Sequence, residues 1–231
     1  MRVDVRELIT FYDEDIEARP HANAIKTLAG EELGLAILME YFRRKGDQVQ
    51  LLDELCTTGK RRGVRLDGWL RVRNERETVD YQVEVKNWSF HSLGGRQLPL
   101  ACTAEELGEF KRRTWNDYWM DGRFREPELD KVLTAMRPAP GADRREPLAC
   151  LWVALHPEGR DEAFFPYPVV GCDFERVWIF SVSGFLRSLR ETTLDIDLPI
   201  ASRRLHRLQR IFSVGGAAEP GVPADGAPPR P

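Results

Sequence analysis

Apolar positions along the first fifty residues recur at the three-to-four-residue spacing of a helix. Val5, Leu8, Ile9 and Tyr12 predict a short helix within 2–18 that Pro20 closes. Ile25, Leu28, Leu35, Leu38, Met39 and Phe42 predict a long helix over 23–45. Gly46 stops it after Arg43, Arg44 and Lys45, three cations that suit a helix C-terminus. The pattern then changes. Segments 49–56 (VQLLDELC), 64–72 (VRLDGWLRV) and 79–87 (VDYQVEVKN) are strand-like and rich in β-branched or aromatic residues. The connections TTGKRRG and RNERET are short and polar, which predicts an antiparallel meander of three neighbouring strands.

A loop over 88–103 follows, with Gly94, Gly95 and Pro99, long enough to suggest a functional role. Thr103 and Glu106 have the spacing of a capping box for a helix over 104–120, and 126–137 predicts another. Segments 148–155 (LACLWVAL) and 176–182 (RVWIFSV) are apolar on both faces, as strands inside a covered sheet are. Short helices are expected at 183–190 and 199–213. Residues 215–231 hold nine Pro or Gly among seventeen, the composition of a disordered tail.

Composition narrows the class. The chain has 231 residues, 42% hydrophobic and 31% charged, an ordinary globular balance with room for one sizeable core. No run approaches the roughly 18 apolar residues of a membrane helix. The first twenty positions mix acids and bases, unlike a secretory signal. Cys56, Cys102, Cys150 and Cys172 form no CxxC, and His21, His91, His156 and His206 form no HxH or HExxH. That speaks against zinc and for buried, reduced thiols in a cytoplasmic protein with no membrane partner. The net charge of −3 argues against indiscriminate coating of nucleic acid. Clusters at Arg43-Arg44-Lys45, Lys60-Arg61-Arg62, Lys111-Arg112-Arg113 and Arg203-Arg204 still allow a local basic surface, although solvated helix ends or turns are the plainer reading of each.

The candidate chemistry sits in the meander. Gln82, Glu84 and Lys86 alternate along 79–87 and share one face of the strand, while Val83 and Val85 point into a core. Asp67 lies on the preceding strand, between Leu66 and Gly68, and a short hairpin brings it towards Glu84. Charges inside an apolar strand are costly unless paired or metal-bound, and two carboxylates alone repel. A divalent cation removes that penalty, and oxygen ligands suit Mg²⁺ or Mn²⁺. Asp67, Glu84 and the backbone carbonyl of Val85 are the candidate ligands of an ion that would polarise a phosphodiester and bind the attacking water. Lys86 would orient that water, stabilise the charge of the transition state, or act as a base with a lowered pKa. Glu31 and Glu32 flank the Leu28–Leu35 stripe of the long helix as candidate acids for the same centre. Glu31 is preferred, because Gly30 and Gly34 leave room for close approach to the sheet.

In this order, helix with Gly30-Glu31-Glu32-Leu33, strand with Leu66-Asp67, hairpin, strand with Glu84-Val85-Lys86, the chain resembles the PD-(D/E)xK nuclease superfamily. That group includes restriction endonucleases, archaeal Holliday junction resolvases and many repair nucleases. The resemblance spans about residues 25–155 and implies an α/β, restriction-endonuclease-like core. Its mixed central sheet has an antiparallel three-strand meander and is flanked by helices. It also implies Asp67 and Glu84 as metal ligands, Lys86 as the catalytic lysine and Glu31 or Glu32 as the helix acid of a Mg²⁺-dependent deoxyribonuclease. Leu66 stands where the motif's name has proline. Glu-x-Lys alone is a weak signal, since Glu109-Phe110-Lys111 repeats it inside a predicted helix, where residues two apart do not share a face. A surface ion pair between Glu84 and Lys86 is the plain alternative.

Lys111, Arg112 and Arg113 on the helix over 104–120 are candidate phosphate contacts, beside Trp115, Tyr118 and Trp119. Gln82, Asn87 and His91 are further candidates for contact with DNA. The expected organisation is a helical extension at 1–22, a nuclease-like domain at 23–190, a helical segment at 191–214 and a tail at 215–231. A homodimer or a larger defence or repair complex is the expected assembly, with SRRLHRLQR (202–210) as a docking segment. A non-catalytic, nuclease-like subunit that binds nucleic acid or a partner is the alternative function.

Overall fold

Strand β4 (Thr78–Lys86) is the axis of a six-stranded sheet of order β2-β3-β4-β5-β7-β6. The computed structural model describes residues 1–14, 20–52, 66–86, 140–152, 160–169 and 172–198, with 103, 105, 106, 109, 132, 133 and 156 between them. Strands β2 (Gln48–Leu51), β3 (Gly68–Arg73) and β4 form an antiparallel meander. On its other edge β4 pairs in parallel with β5 (Arg144–Leu151), and β5 pairs in parallel with β7 (Arg176–Ser181). Strand β6 (Phe164–Pro168) returns antiparallel on the outside. Its sequence, FFPYP, carried no strand signal. Two prolines can sit only where no neighbour needs their N–H, and an edge strand supplies that place. Strand β5 begins earlier than its apolar run, because Glu146 takes up both Arg144 (3.1 Å) and Arg176 (2.9 Å). Asp143 clamps the start of β5 onto β4, exchanging bonds with Thr78 at 2.6 and 2.8 Å.

Helix α2 (Pro20–Arg44) covers the face bearing Tyr81, Val83 and Val85. Pro20 starts this helix instead of closing the previous one; its missing N–H is one that the first turn leaves orphaned anyway. Before it, α1 is confined to Val5–Ile9, capped by Asp4, and continues as a π-helical turn at Thr10–Glu14. Arg2–Asp4 form β1, which pairs with β8 (Thr193–Asp195). The extension expected at 1–22 and the segment expected from 191 therefore meet in one small sheet, within a unit running from Met1 to Leu198. A three-residue strand whose partner lies far along the chain leaves no local pattern to read. Helix α3 (Val182–Ser188) follows β7 directly, with the Ser181 hydroxyl accepting from the N–H of Gly184 at 3.0 Å. Of the helix expected over 104–120, the capping box is described: Thr103 and Glu106 exchange bonds of 2.7 and 3.2 Å. Val132 and Leu133 are helical within 126–137, and 199–231 lie outside the described residues. No described helix is long and apolar enough to cross a membrane.

Helix α2 packs differently at its two ends. Towards its C-terminus aromatic rings fill the gap to the sheet, with Phe42 stacked on Tyr81 (5.5 Å) and Tyr41 against Phe180 (5.1 Å). Further back the filler is absent and the helix drops onto the strands. A Cβ on Gly34 would lie 2.9 Å from Val85 Cγ1, and one on Gly68 would lie 2.9 Å from Leu35 Cδ1. Val85 is β-branched and enclosed, so it has little freedom to yield. Gly34→Ala is accordingly expected to lose stability overall. Overpacking costs about 1–3 kcal/mol, against roughly 1 kcal/mol gained from helix propensity. A lower urea midpoint at unchanged slope is the expected readout.

Candidate active site

Asp67, Glu84 and Lys86, three ionisable residues singled out in the sequence, lie where β3 begins and β4 ends. The β3–β4 register ends where Gly68 pairs with Val83, and Asp67 stands one residue before that paired stretch. Asp67 itself precedes the strand, because its carboxylate takes over the ladder: Oδ2 accepts from the N–H of Val85 at 2.8 Å. The N–H and C=O of a strand residue point to the same edge. The carbonyl oxygen of Val85 therefore also turns towards Asp67, whereas that of Lys86 turns to the opposite edge and accepts from the N–H of Trp152 at 3.3 Å.

Lys86 shares a face with Glu84 and donates from Nζ to Oε1 at 2.9 Å. Both are nearly enclosed, with side chains 13% and 3% exposed, so solvent screens this pair far less than a surface one. The thiol of Cys150, on the neighbouring strand, is pushed up first by complete burial and then by the charge of Asp67. It donates to the carbonyl of Gly34 at 3.5 Å and stays protonated and inert, as expected of a reduced structural cysteine.

Glu31 and Glu32 lie half-buried on α2, on the side of the sheet away from Glu84. Leu35 rests over Gly68, and Glu31 lies one turn before it on the same side of the helix. Glu31 is thereby carried to the end of the sheet that holds Asp67. Among the described residues no three His, Cys, Asp or Glu side chains gather closely enough to hold a metal. What the fold brings together is Lys86 with Glu84, and Asp67 with the N–H of Val85 between them. Gln82, expected to contact DNA, is instead fully buried, and its amide Nε2 donates to the carbonyl of Val132. Asn87, His91, Lys111, Arg112 and Arg113 lie outside the described residues.

The sequence reading overlooked Trp152, taking it for one more apolar strand residue. It is 1% exposed, and Nε1 donates to the carbonyl of Gly30 at 3.1 Å. A fully enclosed tryptophan needs a partner for its N–H, which was the available hint. Compared with family models, with curated proteins and with solved structures, the chain matches none.

The electrostatics of the Glu84–Lys86 pair lead to a stability prediction. Lys86→Met removes the ammonium facing a buried carboxylate, which is expected to cost about 3 kcal/mol near neutral pH in the presence of a chelator. Loss of the Lys86 ammonium favours the protonated form of Glu84 relative to wild type, so the variant recovers stability as pH falls. Urea unfolding at about pH 7 and about pH 4.5 is expected to show the gap to wild type narrowing in acid. A gap independent of pH would mean that the pair is electrostatically idle.

Proposed function

We propose that this chain is a Mg²⁺-dependent nuclease with a restriction-endonuclease-like core, hydrolysing phosphodiester bonds in DNA. The observation that carries the reading is the buried Glu84–Lys86 pair at the end of β4, on either side of Val85, whose N–H donates to the carboxylate of Asp67. The topology supports it. A long helix, an antiparallel meander and a crossover to a parallel strand follow one another in the order that the resemblance implies.

Asp67, Glu84 and the carbonyl of Val85 are the residues that would hold the metal. They offer hard oxygen donors, which suit a divalent cation whose remaining ligands are water or substrate. When bound there, Mg²⁺ would supply Lewis acidity towards the phosphodiester and a lowered pKa for water.

The side chains themselves supply position and charge. Asp67 is pre-set by the N–H of Val85 and does not need to reorganise during the reaction. Lys86 is oriented by Glu84, beside the place where negative charge would build up on a phosphoryl group. Burial of the pair raises the worth of that charge over its value in water. Lys111, Arg112 and Arg113 are the proposed phosphate contacts, acting through charge and not through base sequence.

The competing reading is a non-catalytic, nuclease-like subunit that retains DNA or a partner. It draws on the same pair, because Glu84 and Lys86 at 2.9 Å satisfy one another without a cation.

Plasmid cleavage separates the two. The wild-type chain is expected to cut supercoiled plasmid with Mg²⁺ or Mn²⁺ and to stop with a chelator. Asp67→Asn and Lys86→Ala are each expected to lose about 100- to 1,000-fold in rate. Equal cutting by Lys86→Ala and wild type would discard the site. DNA retention with no cutting under either metal would favour the non-catalytic subunit. The metal itself has an independent readout in thermal unfolding. Saturating Mg²⁺ at about 100 times its Kd is expected to add about 2.7 kcal/mol to wild-type stability and little to Asp67→Asn.

A further inference from the structure

We infer that Trp152 is a positioning residue that sets the Gly30–Glu31 peptide of α2 in register with the Asp67–Glu84 pair. The inference rests on the nuclease reading proposed above. Trp152 is the first residue beyond β5, at the end of the sheet where Lys86 ends β4. Its main chain is held on both sides: the N–H donates to the carbonyl of Lys86 at 3.3 Å, and the carbonyl accepts from the N–H of Ser183 at 3.0 Å. The indole is thus hung from the same strand end that presents Lys86.

From that mount the indole Nε1 donates to the carbonyl of Gly30 at 3.1 Å, while Cys150 Sγ donates to the carbonyl of Gly34 at 3.5 Å. The two spacings agree. Four residues of helix rise about 6 Å, and two residues of strand span about 6.6 Å. Donors at alternate positions of β5 therefore meet acceptors one turn apart on α2, and both the rotation and the axial position of the helix are set. Slipping α2 by a single residue would turn Glu31 through about 100°. The carbonyl that Trp152 grips belongs to the planar peptide unit whose nitrogen is that of Glu31. Tyr12 backs the indole from the other side, stacked at 3.8 Å with an interplanar angle of 16°. The N-terminal segment is thereby also tied to the placement of the Gly30–Glu31 peptide.

The test compares wild type, Trp152→Phe and Lys86→Ala in Mg²⁺-dependent plasmid cleavage, with hydrogen exchange of the metal-free proteins measured alongside. Trp152→Phe keeps an aromatic ring and removes the donor. Its kcat is expected to fall about 10- to 100-fold, with KM within about twofold of wild type. Exchange is expected to accelerate in peptides covering 29–35 and to stay unchanged in β4. A merely structural tryptophan would lower Tm and leave kcat of the folded protein alone. Wild-type kcat in Trp152→Phe, where Lys86→Ala is inactive, overturns the positioning role and spares the nuclease reading. Absence of cutting by wild type, or equal cutting by Lys86→Ala, removes the nuclease reading and this inference with it. If Trp152→Phe does not fold, Tyr12→Leu replaces it, with the same exchange signature and a kcat loss of about tenfold expected. Unchanged kcat in that variant overturns the inference.

Discussion

A strand buried on both faces that carries a polar side chain at every second position has to satisfy each of them within the protein. Strand β4 sets this condition, with Asp80, Gln82 and Glu84 all enclosed on one face. Leaving any one of them unmatched would cost on the order of 1–3 kcal/mol for a neutral group and more for a charge. The fold answers each position separately. Arg71 grips Asp80 with two bonds of 2.8 and 2.9 Å, Gln82 holds the carbonyl of Val132, and Glu84 faces Lys86 at 2.9 Å. The first two solutions are structural. The third lies at the strand end, next to Val85, whose N–H holds the second carboxylate, Asp67.

The other face of β4 decides how that end is framed. Valines at 83 and 85 receive α2, and the helix approaches closely only where glycine stands on one of the two surfaces. Rings of Tyr41, Phe42 and Tyr81 hold the far end of α2 off the sheet, while Gly34 and Gly68 let the near end settle. The closest contact between helix and sheet thus falls directly behind Val85, the residue whose N–H and C=O face Asp67. Packing on one face and charge placement on the other are two consequences of the same nine-residue strand.

Much of this was legible in the sequence because it is local. Alternation along 79–87 already separated Glu84 and Lys86 from Val83 and Val85, since the two-residue period of a strand holds wherever that strand is placed. The short polar connection before Thr78 implied the antiparallel partner that carries Asp67. Capping at Thr103 and the long helix through Phe42 were read from side-chain types that act within one turn. The features that escaped are non-local or depend on edges. Pro20 was read as a stop, although a helix start tolerates it equally well. Strand β6 was hidden by prolines that only an edge accommodates, and β1 by a partner nearly two hundred positions away.

The sequence by itself determined which residues share a face, which strands are neighbours and which charges had to be compensated, because these follow from backbone period and connection length. Tertiary structure alone decided that Gln82 is a buried tie, that Asp67 bonds the N–H of Val85, and that Trp152 reaches the peptide of Glu31. Those outcomes depend on the register between elements far apart in the chain. Register is set by packing volumes and matched donors across the interface, and no stretch of sequence contains both sides of that fit.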